Sequence, residues 1–159
     1  MRARARFARD GLFASEALLL GRVTYGHFAA AWPGMTDEAG FAERMNSNPK
    51  FVASTTLADA EWNATVIRDL AAEVPTLRQR HDLLVMGSGR LVHALREHDL
   101  VDEYEIWIHP ILLGAGRRLF EETAETTTLA LTGTKTTDKG VTVLTYEVGA
   151  LKRRAEPGP

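Results

Sequence analysis

The sequence predicts an α/β fold in which a mixed, mostly parallel sheet is flanked by helices and finishes in a C-terminal antiparallel hairpin. Short apolar runs alternate with segments whose apolar residues have helical spacing, which is the order of strand–helix units. The last third instead alternates apolar and polar residues and is rich in β-branched side chains, as antiparallel strands are. With 159 residues the chain suits one domain. We expect this domain to span residues 1–150, with a poorly ordered start over 1–10 and a flexible tail over 151–159.

Two strand–helix units are predicted in the first half of the chain. Residues 17–20 form a continuous apolar run that ends at Gly21, which is typical of a strand buried on both faces. Residues 22–32 carry apolar side chains at helical spacing, so we expect an amphipathic helix there. A shorter helix over residues 38–45 and a strand over residues 50–54 follow.

The middle of the chain repeats this pattern, with strands predicted over residues 64–68 and 83–86. Between them, Asp69 could cap a helix with Leu70 on its apolar face. Pro75 fits badly in the interior of such a helix, because it removes a hydrogen bond and clashes with the preceding turn. The alternative is a helix that begins later and has Pro75 in its first turn.

The C-terminal third changes from helical spacing to β alternation. A last helix begins at residue 88 or 89, and residues 103–109 then alternate as a strand. Residues 127–136 and 141–148 are also predicted as strands. They are joined through the turn 138–140, whose Asp and Gly are typical of a hairpin.

Composition excludes several classes of function. The formal net charge of −2 provides no global basic field for nucleic acid. The N-terminal arginines form either an exposed basic end, which we favour, or an arm that binds a polyanion. The absence of cysteine excludes disulfides and thiolate chemistry, and the histidines lack ligand spacing, so we expect no metal site. Apolar runs are too short for a membrane span, and no signal-peptide core precedes Asp10, so we expect a cytoplasmic protein without membrane or nucleic-acid partners. The arginines are Arg2, Arg4, Arg6 and Arg9.

Three predicted strand ends carry residues suited to binding a nucleotide. In open α/β sheets, ligands bind beyond the carboxyl ends of the strands. The first motif comprises Gly21, Arg22 and Thr24; the second, Ser54, Thr55 and Thr56; the third, Gly87, Ser88, Gly89, Arg90 and Leu91. The first motif offers a helix N-terminus with a cation and a hydroxyl, and the second offers hydroxyls. The third offers small residues that let a pyrophosphate approach the backbone.

Each motif also has an ordinary structural explanation. The first could be a plain strand–helix turn with an exposed arginine, and the hydroxyls of the second could cap the following turn. The third could be a tight turn, because Val92 occupies the third glycine position of the dinucleotide fingerprint. Together the motifs are more informative, since parallel strands would place all three at one edge, as an extended dinucleotide requires.

The sequence around these motifs resembles one family. The segments are LLLGRVTY (18–25), STTL (54–57), MGSGRLV (86–92), and LVDEY with HPILLGAGRRLF (within 100–120). They resemble the reductase domain of the bifunctional riboflavin-biosynthesis deaminase/reductase and its stand-alone relatives, which share the dihydrofolate reductase fold. The resemblance covers about residues 11–148, in order.

This resemblance implies NADPH as hydride donor. By position, the first motif would hold phosphate at the first helix, and the second would lie near the adenosine 2′-phosphate. The third motif would cradle the pyrophosphate and approach the nicotinamide. In the fold that the chain resembles, a Gly–Gly peptide bond at the third motif is cis, which implies a cis bond between Gly87 and Ser88, although Ser88 adds a Cβ that the family's fold often lacks.

The chain departs from the family at its beginning. Family members start with a strand and a loop that line the nicotinamide and the substrate, whereas residues 1–9 are an Arg/Ala run. We therefore expect the first family strand to be absent and no catalytic residue to be identifiable. A chain starting at Met1 would leave two strand edges unpaired, so either the true start lies upstream, or rearrangement or a partner chain fills the gap.

The function expected from these residues is NADPH-dependent reduction of a small heterocyclic or carbonyl substrate. The alternative is a non-catalytic nucleotide-binding or dimeric interaction protein of the same fold. A homodimer is expected both from the resemblance and from Trp107, a large aromatic beside Glu105 and His109 on a nominally polar strand face.

Overall fold

The computed structural model describes residues 8–120 and 126–149, which fall in two compact units, Met1–Leu100 and Val101–Pro159. The expected poorly ordered start lies mostly, and the expected tail wholly, outside the described residues, and a single domain over residues 1–150 stays a prediction. The first unit contains α1 (Ala8–Ala14), β1 (Ala17–Gly21), α2 (Arg22–Ala31), α3 (Phe41–Ser47), β2 (Lys50–Ala53), β3 (Ala64–Ile67), α4 (Leu70–Arg78), β4 (Leu83–Val85) and α5 (Gly89–Glu97). The second contains β5 (Glu103–Ile108), β6 (Leu129–Thr136) and β7 (Thr142–Val148).

A parallel sheet of four strands organises the first unit, in the order β3-β2-β1-β4. β1 pairs with β2 over residues 18–21 and 50–53, and with β4 over residues 17–19 and 83–85. All five residues of β1 are buried, as expected for a continuous apolar run in the middle of a parallel sheet. The buried cluster around this strand consists of Leu12, Leu18, Leu20, Tyr25, Met45 and Val52.

The structure decides between the two possible starts of α4. The helix begins at Leu70, and Pro75 lies inside it. The Asp69 carboxylate accepts a hydrogen bond from the N–H of Ala72 at 3.0 Å, and the Glu73 carboxylate accepts one from the N–H of Asp69 at 2.9 Å. These capping bonds satisfy N–H groups that a helix start leaves unpaired, and they offset the bond that Pro75 removes.

Helix α1 was not expected from the sequence. Its first residues fall in the segment for which we expected a poorly ordered start. Leu12 is fully buried, and the Ser15 hydroxyl donates a hydrogen bond to the Leu12 carbonyl at 2.9 Å. One apolar anchor therefore fixes a helix that is too short to show a periodic pattern.

The second unit is an antiparallel sheet in the order β5-β7-β6. The predicted hairpin is confirmed, and the N–H of Thr137 donates to the carbonyl of Val141 at 2.9 Å to close its turn. A register shift between Leu131 and Gly133 marks a β-bulge in β6.

Within the described residues, each sheet has two edge strands: β3 and β4 in the parallel sheet, and β5 and β6 in the antiparallel sheet. β4 pairs only with β1, and β5 pairs only with β7, so the parallel and antiparallel strands form separate sheets. The α/β class with mostly parallel strands and a C-terminal hairpin is confirmed. None of the described helices is long and apolar enough to span a bilayer.

Candidate functional site

The three sequence motifs lie at one edge of the parallel sheet. β1 ends at Gly21, β2 ends at Ala53, and the two are directly paired in register. β4 ends at Val85 on the other side of β1, two residues before the third motif begins. Because all three strands run parallel, the segments that leave them emerge at the same carboxyl edge. The expectation that the motifs share an edge is confirmed.

The first and third motifs approach each other closely. A Cβ placed on Gly21 would lie 2.9 Å from the Ser88 Oγ, closer than real Cβ contacts come. A Cβ on Gly87 would lie 3.7 Å from the Thr24 Oγ1, and Gly87 has a φ of +81°, which favours glycine. The peptide bond between Gly87 and Ser88 is cis, as the resemblance implied. A larger residue than glycine at the end of β1 would therefore force the Ser88 hydroxyl to move.

Two helix N-termini open at this edge. Gly21 precedes α2 and Ser88 precedes α5, and within the described residues no side chain caps either helix start. Unpaired N–H groups and the helix dipole favour an anion at such a position. A Cβ on Gly89 would meet nothing within 4 Å, so there is open space in front of α5 that a ligand could fill. The edge therefore fits a phosphate-bearing ligand.

The side chains of the motifs differ in exposure. The groups available to a ligand are exposed, whereas Ser88 and Thr24 are half-buried between the first and third motifs. Leu91 is only 5% exposed, so its side chain packs in the core and only its backbone could serve a ligand. The exposed motif residues are Arg22, Thr55, Thr56, Gly89 and Arg90.

The second motif has the capping role that the sequence left open. The Ser54 Oγ accepts hydrogen bonds from the N–H of Thr56 at 3.2 Å and of Leu57 at 3.0 Å. This is an ST-type turn, in which a hydroxyl satisfies backbone groups just after a strand. The Ser54 hydroxyl hydrogen is not used by these two bonds, so the same group can still donate to a ligand.

Arg68 is a residue of this edge that sequence reasoning missed. It follows β3, the neighbour of β2, and its Nη1 donates to the Ser54 carbonyl at 2.7 Å. Its Nη2 donates to the carbonyls of Leu57 and Ala58. The guanidinium thus anchors the second motif and the residues after it through backbone carbonyls. Its place at the carboxyl end of a predicted parallel strand was the signal that could have found it.

The pKa values of Lys50 and Glu103 are shifted, and neither residue is part of this edge. Burial lowers the pKa of Lys50 to about 8, and Lys50 stands at the opposite, amino end of β2. In the second unit, burial raises the pKa of Glu103, and the neighbouring Glu105 and Glu147 raise it further. Residues 8–120 and 126–149 contain no group of acidic and histidine side chains that could hold a metal ion. The edge therefore offers binding groups rather than a metal centre.

A family model for the RibD C-terminal domain matches residues 1–143. The chain belongs to the RibD C-terminal domain family. The match includes all three motifs and most of the second unit, and the family resemblance drawn from the sequence is confirmed. Membership supports a reductase-type function.

Individual proteins are similar to this RibD C-terminal domain protein in sequence or in fold. It is 28% identical over 143 residues to the uncharacterized protein YyaP of Bacillus subtilis, covering 86% of this chain and 76% of YyaP. It is similar to the crystal structure of a putative riboflavin biosynthesis protein from Shewanella sp. PV-4, with a TM-score of 0.71 and 22% identity; the match covers 87% of this chain and 77% of that one. It is also similar to the crystal structure of a pyrimidine reductase-like protein from Corynebacterium diphtheriae, with a TM-score of 0.60 and 14% identity; this match covers 84% of this chain and 76% of that one. At these identities the two structures show a shared fold.

Proposed function

We propose that the chain is an NADPH-dependent reductase of a small heterocyclic or carbonyl compound. The observation that carries this proposal is the convergence of three ligand-suited motifs and two uncapped helix N-termini at one sheet edge. An extended molecule with several phosphates needs anion sites in a row, and this edge supplies them. The family membership supports the reductase class.

Each part of the edge has a role in the proposal. The backbone N–H groups at the start of α5 would hold the pyrophosphate, and Arg22 with Thr24, at the start of α2, would contact the adenosine 2′-phosphate. The second motif, held by Arg68, would surround the adenosine 2′-phosphate. When bound, the nicotinamide supplies the hydride, while the protein binds and orients.

Binding and turnover of NADPH test this proposal. We expect NADPH to bind in fluorescence titrations more tightly than NADH, because a 2′-phosphate gains from a cation and hydroxyl donors. We also expect loss of the NADPH absorbance when a panel of small heterocyclic and carbonyl compounds is added. Absence of NADPH binding by the folded protein would overturn the proposal.

The second candidate is a nucleotide-binding protein without catalysis. It is favoured by one observation: the three motifs consist of glycine, arginine, threonine, serine and leucine, so they supply no carboxylate or imidazole to transfer a proton. NADPH binding without oxidation across the whole panel would support this candidate over the reductase.

We also propose a homodimer that uses apolar side chains of the second unit. Trp107, Ile108 and Ile111 are exposed, together with neighbouring leucines, in a pattern typical of surfaces that become covered. Light scattering at micromolar concentration should give the mass of two chains, and a monomer mass would contradict it. The cytoplasmic location stays a prediction.

A further inference from the structure

The first unit contains a cavity that the three motifs do not use. It lies between α2 and the connection from β2 to β3, and its volume is about 560 Å³. This is within the range of small-molecule pockets, which are mostly apolar and carry a few polar groups. The lining residues are Tyr25, Ala29, Pro33, Leu57, Asp59, Glu61 and Trp62.

The walls of this cavity are held in place by specific contacts. The Tyr25 hydroxyl donates to the Glu61 carbonyl at 3.0 Å and accepts from the Glu61 N–H at 2.8 Å, which ties the connection to α2. The Trp62 Nε1 donates to the Asn46 Oδ1 at 2.7 Å, and the Lys50 Nζ lies 4.0 Å from the centroid of the Trp62 ring. The aromatic walls are therefore preorganised, which lowers the entropic cost of binding a ligand.

Two residues with a strained backbone lie beside the same cavity. Trp62 and Asn63 have φ values of 58° and 54°, in the left-handed region that residues other than glycine rarely adopt. Such conformations persist only where the surroundings enforce them, and they cluster at binding sites. The contacts of the Trp62 ring supply this enforcement.

The charges that line the cavity are negative. Asp59 and Glu61 are exposed, and within residues 8–120 and 126–149 their carboxylates form no hydrogen bond or ion pair. The nearby cations do not line the cavity: Lys50 is 1% exposed with its Nζ donating to two backbone carbonyls, and Arg68 donates to the carbonyls of Leu57 and Ala58. Two free carboxylates would repel a phosphate and attract a cation.

We propose that this cavity binds an organic cation with a flat apolar body, such as a protonated arylamine or amidine. The apolar side chains would cover the ring, and Asp59 or Glu61 would accept hydrogen bonds from its charged group. The site is distinct from the sheet edge, because its charge is opposite to that of the uncapped helix starts.

The experiment compares benzamidinium with benzamide, a neutral molecule of nearly the same shape, by isothermal titration calorimetry. We expect benzamidinium to bind at least about tenfold more tightly, since only the cation gains a charge-assisted hydrogen bond to a carboxylate. The double variant Asp59→Asn, Glu61→Gln should abolish this preference, whereas Glu97→Gln, an exposed acid on α5, should retain it. Both substitutions in the double variant are nearly isosteric and exposed, so we expect the fold to survive, and a urea unfolding curve checks this.

Magnetic resonance of the indole N–H groups locates the binding. Benzamidinium should shift the Trp62 signal and leave that of Trp107 unchanged. Equal affinities for the two probes, absence of binding, or a preference that survives the double substitution would each overturn the proposal. None of these measurements involves NADPH, so the proposal stands or falls independently of the reductase assignment.

Discussion

The two units of this protein differ in what their apolar residues do. In the first unit β1 is wholly buried, and buried side chains of neighbouring elements pack around it: Leu12, Tyr25, Met45 and Val52. In the second unit the described residues include two buried apolar side chains, Tyr104 and Val143, while Leu112 is 101% exposed. The first unit therefore packs its apolar residues into a core, whereas the second unit leaves several large apolar side chains exposed.

The largest expected effect is a loss of stability when a buried leucine is replaced, compared with the replacement of an exposed leucine. Leu18→Ala in β1 should lower the free energy of unfolding by about 2–5 kcal/mol, because it leaves a cavity in a buried core. Leu112→Ala in the second unit should change it by less than about 0.5 kcal/mol. Urea unfolding measures both, and similar losses would show that Leu112 is buried in solution.

The next effect concerns the buried lysine of the first unit. Its pKa is lowered to about 8 in the folded protein, so between pH 8 and its ordinary pKa of 10.5 the unfolded chain binds more protons. The free energy of unfolding should therefore rise with pH in this window, by up to about 3 kcal/mol. Lys50→Met should remove the rise, and Lys139→Met, at an exposed position, should keep it. An unchanged rise in Lys50→Met would contradict the burial effect.

A glycine pair tests whether the sheet edge is a ligand site. At Gly89 and at Gly26 an added Cβ would meet no atom within 4 Å, so Gly89→Val and Gly26→Val should both fold. Only Gly89 stands at the start of α5, where a side chain would obstruct the pyrophosphate. NADPH affinity should fall at least about tenfold, or 1.4 kcal/mol, in Gly89→Val and stay constant in Gly26→Val. Unchanged NADPH affinity in Gly89→Val would show that the third motif is a tight turn that does not bind the cofactor.

Arginine substitutions sharpen the assignment of the 2′-phosphate. Arg22→Ala should weaken NADPH binding about tenfold with little change for NADH, because a charged hydrogen bond is lost only with the phosphorylated cofactor. Arg68→Gln should also weaken NADPH binding, but by less, since Arg68 positions the second motif and does not itself contact the phosphate in this proposal. Arg80→Ala, an exposed cation beyond the C-terminal end of α4, is the control. Equal losses for both cofactors would refute the assignment.

The smallest expected effect is a change in stability on replacing Glu103, in the second unit. The folded pKa of Glu103 is raised, so its negative charge costs stability once the pH rises above that pKa. Glu103→Gln should therefore unfold at slightly higher urea than the natural chain near neutral pH, and the difference should shrink as the pH falls below the ordinary pKa of 4.5. A difference that persists in acid would point to packing instead of charge.

Most of the strands and helices could be predicted because local patterns determine them. The run that forms β1 and the alternation that forms β5 match the structure to within one residue at each end. The start of α4 was left open, because the cost of Pro75 had to be compared with capping bonds that no periodicity reveals. α1 was missed because one buried leucine is too little signal for a pattern.

The sequence by itself determined the order of strands and helices, the location of the three motifs after strands, and the family. It could do so because apolar periodicity and glycine placement are local properties of the chain. Only the tertiary structure decided that Gly21 lies against Ser88 and that Arg68 donates hydrogen bonds to the second motif. It also decided that a cavity lined by two carboxylates lies between α2 and the connection from β2 to β3. These features join residues far apart in the chain, and their geometry depends on strand order and register, which no local pattern encodes.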